Sequence, residues 1–88
     1  MAAVLYDTIV DVIEYYLGPA APRFVDRQIE FHLHKPPHEV TAADLERLTE
    51  WIRVSLALLT DDRQTVDECT QRLTQLYEQT INDQRFNY

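Results

Sequence analysis

A single glycine, Gly18, stands in the whole 88-residue chain, and Pro19 follows it at once. Glycine supplies the positive-φ positions that tight hairpin turns require, so a chain with one glycine is poorly equipped to build a sheet of short strands. Long glycine-free stretches favour helices, and the four prolines mark where helices stop. Hydrophobic residues make up 45% of the chain, a composition that folds rather than one that stays disordered. The length suits one domain with a limited core.

Apolar residues recur at helical spacing in four stretches. The first runs from about Ala3 to Leu17, with Leu5, Ile9, Val12, Ile13 and Tyr16 on one face and Asp7, Asp11 and Glu14 on another. Gly18-Pro19 stops it. The second starts between Pro19 and Pro22 and ends near His34, with Phe24, Val25, Ile29 and Leu33 inward and Phe31 to one side. Lys35-Pro36-Pro37 breaks it, because proline restrains the preceding residue from the helical region.

The third stretch has the sharpest start. Thr41 is a good N-cap, Asp44 stands at the third helical position, and Val40 with Leu45 has the spacing of a hydrophobic staple. It runs to about Leu59 through Leu45, Leu48, Ile52 and Leu56. Thr60, Asp61 and Asp62 open the fourth, which continues to about Ile81 through Val66, Cys69, Leu73 and Leu76. The expected architecture is all-α: a compact, mostly antiparallel four-helix bundle over residues 1–82, with a tail at 83–88.

Charge narrows the choice of function. Fifteen acids against eight bases leave a net charge of −7. That speaks against a nucleic-acid surface and against binding to anionic membranes. The third helix carries only Arg47 and Arg53, which is too little for a DNA-recognition helix. No run of about 18 uncharged apolar residues exists to span a membrane. The first sixteen residues carry Asp7 and Asp11 within the apolar run and lack a basic start, unlike a secretory signal. One cysteine, Cys69, allows no internal disulfide, so a cytoplasmic setting is expected.

Nothing in the chain points to catalysis. The lone glycine excludes a phosphate-binding loop, Cys69 falls on a core face, and Ser55 lies mid-helix away from any histidine in sequence. The expectation is that the protein is no enzyme and holds no cofactor or metal. His32, His34 and His38 are the only metal-like grouping, and two residues apart on a helix do not share a face. An alternative is a small-ligand or tetrapyrrole-binding bundle with His32 or His34 as axial ligand.

The third helix is apolar on nearly every side: Trp51, Ile52, Val54, Leu56, Ala57, Leu58 and Leu59 are interrupted only by Arg53 and Ser55. Such a helix is either packed centrally by the other three or leaves a face for a partner. The candidate partner-binding residues are Tyr15, Tyr16 and Trp51, with Phe86 and Tyr88 of the tail, because large aromatic side chains anchor interfaces at low entropic cost. The partner is expected to be a protein, a second copy included, and a basic one would be drawn to the acidic surface. The acidic stripe Asp7, Asp11, Glu14 has an internal candidate partner in Arg23 and Arg27 across the first two helices.

One stretch carries a resemblance. Leu17-Gly18-Pro19-Ala20-Ala21-Pro22-Arg23-Phe24-Val25-Asp26-Arg27-Gln28, then Val40-Thr41-Ala42-Ala43-Asp44-Leu45 and Trp51-Ile52, resembles a small uncharacterised helical domain of bacteria. That domain occurs alone or appended to signalling proteins such as serine/threonine kinases. The likeness spans about residues 17–60, and Pro22 and the Pro36-Pro37-His38 loop depart from the pattern. It implies a regulatory or adaptor module without chemistry of its own.

Overall fold

The single glycine sits where the backbone demands one. In the computed structural model, which describes the backbone of residues 2–86 and the side chains of residues 5–82, α1 spans Ala2–Leu17 and Gly18 follows with φ +64°. A 3-10 turn, Gly18–Ala20, bends the chain directly into α2, Ala21–Leu33. His34 closes α2 in the left-handed region at φ 55°, ψ 43°. A second 3-10 turn, Pro37–Glu39, leads to α3, Ala42–Leu59, and then α4, Arg63–Phe86. No strand occurs among the described residues.

The helix starts behave as their side chains dictate. The Asp44 carboxylate accepts from both Thr41 N and Thr41 Oγ1 at 3.0 Å, and Lys35 Nζ lies 2.6 Å from the same oxygen. Partial burial raises the proton affinity of this carboxyl, but the Lys35 and Thr41 hydrogen bonds outweigh it and hold the pKa below the ordinary value. The ion pair also ties the loop after α2 to the start of α3. At α4, Asp62 Oδ1 accepts from Gln64 N at 3.1 Å, satisfying a donor that the first turn leaves orphaned. α4 runs on past Ile81, so the segment read as a tail from Asp83 is helical as far as Phe86.

The core gathers one stripe from each helix. Ile9 and Ile13 of α1, Val25 and Ile29 of α2, Leu45, Leu48, Ile52 and Leu56 of α3, and Val66, Cys69 and Leu73 of α4 form one buried cluster, with Val40 closing it from the loop. α2 and α3 run antiparallel: Gln28 meets Ser55 while His32 meets Trp51, so residue numbers rise on α2 as they fall on α3. Among the described residues, the one buried polar side chain is Thr49, whose hydroxyl donates to the Leu45 carbonyl at 2.7 Å. The Cα radius of gyration, 12.5 Å, is close to the ~12 Å expected for a folded chain of this length.

The carboxylate stripe of α1 does not meet the arginines of α2. Asp7, Asp11 and Glu14 face solvent, and none of them pairs with Arg23 or Arg27. The physical reason is helical phase. The α2 side turned to α1 carries Asp26, which accepts a hydrogen bond from Tyr6 Oη. Arg23 and Arg27 stand exposed, and neither makes an ion pair with a described residue.

Candidate interaction surface

The third helix is not fully covered. Leu45, Leu48, Ile52 and Leu56 take its core side, and the stripe Trp51, Val54 and Leu58, spaced three and four residues apart, opens outward. Leu58 is 84% exposed and Trp51 40%. The seam with α2 fixes what stands beside this stripe. Gln28 Oε1 accepts from Ser55 Oγ at 3.1 Å, and the His32 imidazole stacks on the Trp51 indole with centroids 3.8 Å apart and planes within 4° of parallel.

Phe31, one helical turn beyond Gln28 on the outer side of the same seam, is 70% exposed, and Phe24 behind it is half-buried. Phe31 and Phe24 on one side and Trp51, Val54 and Leu58 on the other thus border the same α2–α3 seam. The hydrophobic effect disfavours leaving such side chains in water, and contiguous exposed apolar surface on a small domain marks a place where something binds.

The aromatic residues chosen from the sequence are not brought together. Trp51 belongs to the α2–α3 face. Tyr15 and Tyr16 lie instead on the α1–α4 seam, ring edge to ring face, with the Arg72 guanidinium 4.7 Å from the Tyr15 centroid. Tyr16 Oη donates to Glu68 at 3.2 Å, and burial followed by this hydrogen bond pushes its pKa up to about 12. Tyr15 is 70% exposed. The side chain of Phe86, and Tyr88 altogether, lie outside the described residues.

The three histidines do not converge. His32 is stacked on Trp51, His34 ends α2 facing solvent, and His38 meets the edge of the Tyr6 ring with centroids 4.6 Å apart. No group of three histidine, cysteine, aspartate or glutamate side chains that could hold a metal ion occurs among the described residues. Cys69 is buried in the core, where loss of solvation pushes its thiol up to about pKa 11. Among the described residues, no helix is long and apolar enough to cross a membrane.

Phe31 and Leu58 were not singled out from the sequence as binding residues. The signal was present in the excess of apolar side chains around α3 and in Phe31 falling to one side of α2. What periodicity cannot show is that these two outward stripes border the same seam. Compared with known families, curated proteins and solved structures, the chain finds no match.

Proposed function

We propose that this domain is a non-catalytic protein-interaction module that docks a partner on the α2–α3 face. The observation that carries the reading is the apolar stripe of α3, with Leu58 84% exposed on a helix whose opposite side is sealed in the core. A rigid helix pair presenting Phe31, Trp51, Val54 and Leu58 offers anchor side chains with little left to order on binding. The buried, hard-to-ionise thiol of Cys69 supports packing as its role, not nucleophilic chemistry. The resemblance over residues 17–60 fits the same reading, as a regulatory adaptor in bacterial signalling.

Site-specific photocrosslinking in the cells that make the protein tests this. A benzophenone side chain placed at position 58 or 31 is expected to yield discrete protein adducts. The same group at exposed Asp11 of α1 or Gln64 of α4 is expected to yield few. Equal adduct yields at all four positions refute the assignment of the face.

A further inference from the structure

The outer face of α3 is hollow at one end and raised at the other. Ala43, Glu46, Arg47, Glu50 and Trp51 line a shallow hollow of about 580 Å³ on its N-terminal half. Leu58, the most exposed large apolar side chain among the described residues, stands on its C-terminal half. Residues 47, 51, 54 and 58 follow at spacings of four, three and four, so hollow and leucine share one side of the helix. About 16 Å separates Arg47 from Leu58 along the axis. Charge has the same two-ended arrangement. Arg47 is exposed and makes no ion pair with a described residue. At the other end α3 closes with no basic residue in its last turn, so no cation of its own faces the negative end of its dipole, and Asp61 follows exposed. The two acids of the hollow leave this pattern in place: Glu50 is engaged by Arg53, and Glu46 also borders Thr70 and Tyr77 on the α4 side.

From this we infer that the occupant is a second copy of this chain, its α3 packed antiparallel on the first about a two-fold axis. The inference rests on the proposed docking role. A two-fold exchanges the ends of the helix, so each Leu58 enters the hollow of the other copy and both contacts form at once. The leucine then lies against Ala43, the Trp51 ring and the aliphatic stems of Glu46, Arg47 and Glu50, whose charged heads stay at the rim. The same register sets Val54 opposite Trp51 of the second copy, and Arg47 beside the last turn of its α3 and its Asp61. Each arginine thus supplies the cation that the other helix end lacks. The charge of −7 on each copy opposes association, but at 0.1 M salt it is screened beyond about 10 Å, which leaves the contacts of the face to decide. A single helix-on-helix contact buries less than the roughly 1,200 Å² at which stable specific interfaces begin, so the dimer is weak, with a dissociation constant of about 10–100 µM. At low micromolar concentration the chain is a monomer with Leu58 in water.

Sedimentation equilibrium of the full-length protein from about 5 to 500 µM decides the matter. The mass is expected to rise from 10.4 kDa towards twice that value. Emission from Trp51, the only tryptophan, is expected to shift to the blue in step, as the partner's Leu58 covers it. Leu58→Asp changes a side chain that the fold leaves in water, so it is expected to keep the helical circular dichroism and to abolish both changes. Arg47→Glu is expected to weaken the dimer at least about tenfold, and Arg47→Glu/Asp61→Lys to restore most of the affinity. Within one chain these two residues stand roughly 20 Å apart, so the rescue reads a contact between copies. Arg23→Glu, the same charge change at an exposed arginine of α2, is expected to leave the mass curve as it was. A mass that stays at 10.4 kDa overturns the dimer, as does a dimer that survives Leu58→Asp or is not rescued by Asp61→Lys. An emission shift on phosphatidylcholine vesicles without a change in mass overturns it in favour of a membrane. Photocrosslinked adducts from position 58 with a different protein alone exclude the second copy and keep the docking face, whereas equal adducts at all four positions overturn both.

Discussion

Leu56 and Leu58 stand two residues apart on α3 and separate folding from binding. Leu56 is 1% exposed and Leu58 is 84% exposed. Truncating Leu56 to alanine removes buried methylene groups and opens a cavity, which costs about 2–5 kcal/mol. For a chain of 88 residues with a total stability of roughly 4–13 kcal/mol, that is a large fraction. Leu58 has only about a sixth of its surface covered. Taking ~1.5–3 kcal/mol for complete burial of leucine, its truncation forfeits at most ~0.5 kcal/mol, and alanine returns part of that through better helix propensity.

Urea melts followed by circular dichroism should therefore place Leu56→Ala well below the parent and Leu58→Ala within error of it. In heat, the same difference is a fall of roughly 10–30 °C against at most ~4 °C. A loss above ~1.5 kcal/mol for Leu58→Ala refutes the placement of that side chain in water. A loss that grows with protein concentration shows that another copy covers it. Trp51 is the less informative target, because its ring is partly buried and stacked on His32, so its truncation damages fold and face together.

Two backbone positions predict opposite signs. Gly18→Ala should destabilise by ~1 kcal/mol through φ +64° alone, since a Cβ there meets nothing within 4 Å, while His34→Gly should stabilise by up to ~1 kcal/mol by relieving φ 55°; thermal melts that fail to move in opposite directions count against both. Cys69 should resist a thiol reagent at pH about 8 in the native protein and react fully in denaturant, and prompt native labelling would contradict its burial. Tyr6 is pushed up to about 12 by burial and by its hydrogen bond to Asp26. The folded state thus keeps this proton longer than the unfolded chain. The stabilisation is whole below the ordinary tyrosine value of 10.0 and is lost as pH rises towards about 12, so Tyr6→Phe should flatten the alkaline decline in urea midpoints.

Much of the architecture can be read from local chemistry. Gly18-Pro19, the Thr41–Asp44 cap and the prolines after α2 are signals that act within a few residues, and each falls at or beside an observed boundary. The core stripes are legible because a period of 3.6 residues repeats within each helix. That the α1 carboxylates would not meet Arg23 and Arg27 was not legible, since spacing along one helix does not fix its rotation against the next. For the same reason Tyr15, Tyr16 and Trp51 looked alike as exposed aromatics, yet the first two belong to the α1–α4 seam and the third to a different face.

Sequence alone thus determined four amphipathic helices, their caps and the residues each turns inward, because hydrogen bonding and hydrophobic periodicity are properties of a segment by itself. Only the tertiary structure decided which outward stripes became neighbours. The Gln28–Ser55 and His32–Trp51 contacts set the register of α2 against α3, and that register lays Phe31 and Leu58 on the two sides of one seam. A surface of this kind belongs to two helices at once, and its composition follows from how their cores mesh rather than from either sequence pattern.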